Sequence, residues 1–155
     1  MSTLPALKDV TDLFTMLFGD KTVCKPSATK LPGDQAAVIA SYRDNNGKIQ
    51  RAVACDLGFA NSAGASLSMV PLGVVNDATK KGEVPDNILA NLHEVMNIAV
   101  NLFTTGFSGR LELADVQRAA DVDASLKNAI KSGVSTVIDV SIPRYSSGRV
   151  SLISL

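Results

Sequence analysis

The residues best suited to chemistry stand close together at His93, Glu94, Asn97 and Asn101. Glu94 and Asn97, three apart, share one face of any helix that carries them, and Asn101 extends that face by a further turn. The pair offers a carboxylate that can hold a cation and a neutral amide that can both donate and accept hydrogen bonds. His93-Glu94 begins like a zinc-protease helix, but Asn97 occupies the place of the second histidine and the chain has no other histidine, so zinc ligation is discounted. His93 itself is expected to pack at the edge of an apolar arc. There is no GxxxxGK[ST] or GxGxxG sequence, and GFANSAG at 58–64 is poor in glycine and has no lysine. Asp121 and Asp123 read as helix caps rather than as a metal-dependent phosphatase motif.

The element that must position Glu94 and Asn97 runs from Pro85 to Phe103. Ile88, Leu89, Leu92, Val95, Met96, Ala99, Val100, Leu102 and Phe103 recur at helical spacing, which predicts an amphipathic helix about 27 Å long. Its polar arc holds Asn87, Asn91, Glu94, Asn97 and Asn101, and no Lys or Arg lies between Lys81 and Arg110. Asparagine is a poor helix former, so solubility alone does not account for such a face.

Around this helix the pattern predicts a short helix over 5–18 ending at Gly19, then an edge strand with Val23 and Cys24 broken by Pro26 and Pro32. Runs at 35–42 and 49–56 form a hairpin across Asn46-Gly47, whose residues supply positive φ angles. In its second strand Arg51, Val53 and Cys55 share one side and Ala52 and Ala54 the other, small enough for a helix to pack closely. Residues 58–70 form a small-residue helix capped by Asn61 or Ser62, and 72–83 a connector. A strand at 110–116, a short helix at 123–131 and a hairpin of 135–142 with 149–155 complete the chain. The order predicts an α+β fold: one antiparallel-rich sheet with long helices packed on one face, in a single domain spanning 1–155.

The chain's 155 residues suffice for a real core, and 46 % of them are hydrophobic. Fifteen basic and fifteen acidic residues cancel, leaving no global field for nucleic acid or an anionic membrane. Five Phe, two Tyr and no Trp argue against a base-stacking surface. No apolar run reaches membrane-spanning length, and the start of the sequence lacks the pattern of a secretory signal. A cytoplasmic protein with Cys24 and Cys55 as buried reduced thiols is expected.

With Glu94-Val95-Met96-Asn97 on a long helix, after a hairpin, a small-residue helix and a connector, the chain resembles the CheC/CheX-type chemotaxis phosphatases. The resemblance spans most of residues 35–155. It implies a CheC/CheX-like fold and hydrolysis of the aspartyl phosphate of a CheY-type response regulator, with Glu94 and Asn97 as catalytic residues. The helix at 58–70 contains no glutamate, so the single-site, CheX-like arrangement matches better than a two-motif one. Two positions depart from the family pattern: Ala90 stands where the pattern has Asp or Ser, and Ala120 where it has Pro.

An acyl phosphate is already labile, so its hydrolysis requires an in-line water more than strong acid–base groups. A neutral amide can orient that water without repelling the phosphoryl group, as a glutamine does in small GTPases. The resemblance implies that Glu94 pairs with a receiver lysine and that Mg²⁺ belongs to the receiver, so no cofactor of the chain's own is expected. The expected partner is a phosphorylated response-regulator receiver domain, and the resemblance allows a homodimer through sheet edges. The alternative is a non-catalytic module of the same fold that binds a receiver or oligomerises.

Overall fold

The computed structural model describes residues 4–31, 35–104 and 106–155. Pro32, where a strand break was expected, and Thr105, in the loop after the long helix, lie outside the described residues. Six strands form one antiparallel sheet: β1 (Val23–Pro26), β2 (Val38–Arg43), β3 (Ile49–Cys55), β4 (Glu112–Arg118), β5 (Val134–Ser141) and β6 (Ser147–Ser154). Their order across the sheet is β1-β5-β6-β3-β2-β4. The helices are α1 (Leu7–Phe18), α2 (Leu57–Ser68), α3 (Leu72–Lys80), α4 (Asp86–Ala99) and α5 (Ala124–Ser132).

The period-two pattern of the strands divides the core. Val38, Ala40, Tyr42, Val53, Cys55, Val140, Val150 and Leu152 face α1, α2 and α4, where they meet Val10, Phe14, Phe59, Ile88, Leu92 and Met96. The long helices thus lie together on one face, as the sequence predicts. On the opposite face Ile39, Ala52, Ala54 and Ile153 pack with Ile130 and Leu126 of α5 and with Val122. The alanine side of β3 therefore accommodates a helix, and that helix is the short α5.

Local chemistry differs from the sequence reading at three points. Asp56, rather than Asn61 or Ser62, caps α2 by accepting from Phe59 N–H at 2.9 Å. Asn61 and Ser62 are buried within the helix; Asn61 donates to Thr79 Oγ1 at 3.0 Å and to the Glu83 carbonyl at 2.9 Å, and Ser62 donates to the Ser146 carbonyl at 2.9 Å. The expected connector at 72–83 is mostly helical, because Pro71 opens α3 and buried Val75 and Ala78 anchor one side of it despite Gly73 and Asn76. In the β2–β3 turn only Gly47 has positive φ (+80°), while Asp44 accepts from the N–H groups of Asn46 and Lys48 at 2.9 and 3.0 Å. Gly47 thus supplies the positive φ expected of the Asn-Gly pair, Asn46 does not, and Asp44 holds the turn through its hydrogen bonds.

Candidate functional site

Helix α4 starts after Pro85, whose fixed φ and missing N–H suit a helix start. Ile88, Leu92, Val95, Met96 and Ala99 are buried along its inner side. Four contacts fix its placement. Arg118 of β4 donates to Asp86 at 2.7 Å and to the Val84 carbonyl at 2.6 Å, holding the first turn. Ile88 lies against Gly64 of α2 so closely that a Cβ there would fall 2.6 Å from the Ile88 carbonyl oxygen. Asn91 donates to the Gly64 carbonyl and to Ser68 Oγ, each at 2.8 Å. Tyr42 of β2 donates its hydroxyl to the Met96 carbonyl at 2.7 Å. Burial raises the pKa of that hydroxyl far above its ordinary value, so it remains a donor at any working pH. Beyond Ala99 the chain tightens into a 3₁₀ turn over Val100–Phe103, and Phe103 packs on the Tyr42 ring at 5.4 Å between centroids.

Glu94 and Asn97 project from the opposite side of this clamped helix. Both are exposed, and neither makes a hydrogen bond or an ion pair among the described residues. Asn101 is exposed one turn further on, and Asn87 is exposed near the start. His93, expected to pack, is instead exposed beside Glu94, because the buried arc is centred on Leu92, Val95 and Met96. The polar arc is thus not uniform: Asn91 ties α4 to α2, whereas Glu94, Asn97 and Asn101 face outward. Ala90 is exposed one turn before Glu94, and Ala120 is exposed in a 3₁₀ turn over Ala119–Asp121.

Beyond Asn101 the surface opens into a groove of about 370 Å³ between α1 and the end of α4, lined by Asp9, Asp12, Leu13, Met16, Asn101 and Leu102. The sequence reading took α1 only for its core face and missed this neighbour; Asp9, Asp12 and Met16 at helical spacing were the available signal. The loop after α4 is held by Arg51, buried in β3, which donates to the Gly106 carbonyl at 2.9 Å and lies 5.2 Å from the Phe107 ring centroid. Among the described residues, no group of three or more His, Cys, Asp or Glu is placed to hold a metal ion. Cys55 is buried and Cys24 half-buried, and both are free thiols. Asp123 caps α5 by accepting from Leu126 N–H at 2.7 Å, as expected, whereas Asp121 ends the 3₁₀ turn over Ala119–Asp121 and caps no helix among the described residues.

The architecture is that of an α+β class with known members. A solved complex of CheX with CheY, beryllofluoride and Mg²⁺ from Borrelia burgdorferi contains a chain that matches at TM-score 0.58 and 15 % identity, over 95 % of this chain and 94 % of that one. A chain in the FliM–SpeE complex from H. pylori matches at TM-score 0.65 and 7 % identity, over 96 % and 80 %. FliY from Thermotoga maritima matches at TM-score 0.59 and 10 % identity, over 97 % and 84 %. This chain has the fold shared by these proteins, the CheC/CheX-type fold. No protein-family model and no curated protein matches the sequence. No helix among the described residues is long and apolar enough to cross a membrane.

Proposed function

We propose that this chain docks on a phosphorylated response-regulator receiver domain and hydrolyses its aspartyl phosphate through Glu94 and Asn97. The observation that carries the reading is the pair itself: exposed, with no hydrogen bond or ion pair among the described residues, and presented by a helix fixed at Ile88, Asn91 and Met96. Rigid placement matters because orienting water depends on geometry, and loose geometry loses rate steeply. The fold likeness to the chain crystallised with CheY, beryllofluoride and Mg²⁺ supports the choice of partner. In this reading the Asn97 amide holds a water in line with phosphorus, and Glu94 pairs with a receiver lysine and so registers the two proteins. The receiver supplies the Mg²⁺ that neutralises the phosphoryl oxygens.

The test is phosphoaspartate decay in a receiver domain incubated with Mg²⁺ and this protein. Catalysed decay is expected, and Asn97→Ala lowers the rate on the order of 10²-fold, the scale for losing one positioning contact. Decay at the uncatalysed rate refutes the catalytic reading. Ala90, exposed one turn before Glu94 where the related pattern has Asp or Ser, favours the second reading, a receiver-binding module without turnover. Stable phosphorylation-dependent binding with no acceleration identifies that case.

A further inference from the structure

We propose that the groove between α1 and the end of α4 is a second contact for the receiver, accepting a segment that presents a lysine or arginine beside an apolar side chain. The proposal rests on the receiver-binding reading of Glu94 and Asn97 and extends it to a surface outside that pair. Asp9, Asp12, Leu13 and Met16 fall on one face of α1 at spacings of three, four and seven. Across from them stands Asn101, in the 3₁₀ turn that follows α4 and one turn beyond Asn97, with Leu13 and Leu102 completing the lining. Met16 is 68 % exposed, a flexible apolar side chain beside the groove that can mould itself to a partner.

The charge around the groove has one dominant sign. Asp9 and Asp12 line it, Glu94 stands two turns away along the stripe, and no cation is among the lining residues. Lys8 reaches Asp12 at 2.9 Å, but both partners are exposed, and such a pair is weak enough to yield to a partner's cation. The groove includes Asn101, one turn beyond Asn97, so it is the surface adjoining the pair that the receiver engages in this reading. An acidic rim around an apolar lining selects the complementary chemistry, a cation flanked by an apolar side chain.

The experiment measures binding of the full chain to receiver domains of its source organism loaded with beryllofluoride and Mg²⁺, together with KM and kcat for dephosphorylation. The double variant D9K/D12K and, separately, Met16→Glu are each expected to raise Kd and KM about tenfold, and the double variant's effect shrinks at about 0.5 M salt. kcat stays unchanged, because none of these residues touches the reacting atoms. Met16→Leu retains binding, and circular dichroism verifies that each variant is folded. A Kd unchanged in both variants, with the unaltered chain binding normally, overturns the groove and leaves the role of Glu94 and Asn97 standing. Variants that lose only self-association by sedimentation overturn it in favour of a second copy as occupant. Failure of the unaltered chain to bind any receiver overturns the underlying reading and the groove with it.

Discussion

Two asparagines of identical chemistry, six residues apart on α4, are expected to respond oppositely to alanine. Asn91 makes two hydrogen bonds of 2.8 Å to α2; at about 1 kcal/mol net each, their removal costs roughly 2 kcal/mol. Alanine returns about 0.6 kcal/mol through its better helix propensity, so Asn91→Ala is destabilising by about 1–2 kcal/mol. At roughly 2–4 °C per kcal/mol for a chain of this size, Tm falls by about 3–6 °C. Asn97 has no partner to lose among the described residues and is exposed. Asn97→Ala therefore leaves stability unchanged or raises it by up to about 0.6 kcal/mol. Urea and thermal unfolding followed by circular dichroism measure both. Loss of more than about 1 kcal/mol in Asn97→Ala refutes the reasoning, because it identifies a structural asparagine rather than one free to meet a partner. A neutral Asn91→Ala refutes the role given to the α2 contact.

Gly64→Ala places a methyl group 2.6 Å from both the Ile88 carbonyl oxygen and its Cγ2; α2 and α4 must separate, with an expected loss of about 3 kcal/mol in denaturant unfolding. Tyr42→Phe removes the donor to the Met96 carbonyl, which lies within the core, and costs about 1–3 kcal/mol by the same measurement. Burial raises the Cys55 thiol pKa, and partial burial raises that of Cys24. Because burial also keeps reagents from the Cys55 sulfur and half-covers that of Cys24, native Cys55 resists alkylation and Cys24 reacts slowly, whereas both react after denaturation; mass spectrometry with iodoacetamide reports this.

Much of the fold was legible because periodicity reports which side of an element is buried. The arcs of α1 and α4, the alternation in β3 and the Gly19 stop all appear in the structure near their expected places. Periodicity failed where a long-range partner decided the outcome. Asn91 and Asn97 look alike in sequence, and the difference lies in a carbonyl at Gly64, 27 residues earlier. Asn61 and Ser62 resembled caps because polar side chains near a helix start usually serve there, but their partners come from the α3 end and from Ser146. The residues of α3 included turn formers whose local preference was overridden by packing of Val75 and Ala78. For the candidate site, the motif and its exposed face were readable, while the flanking groove was not, since it depends on α1 meeting the end of α4.

The strand order carries a consequence for how this protein reaches its native state. β6 follows every other strand in the chain, yet it sits inside the sheet, paired with β5 along one side and β3 along the other. It also contributes Val150 and Leu152 to one apolar cluster and Ile153 to the other. Until it docks, β1–β5 and β3–β2–β4 are separate ribbons, each with an unsatisfied inner edge. Loop closure between β3 and β6 spans α2, α3, α4 and α5, so its entropy must be met before most sheet contacts form. Strand order thus predicts that insertion of β6 is a late event in folding, which pulse-labelling hydrogen exchange tests: protection of β6 before β2, β3 and β4 refutes it.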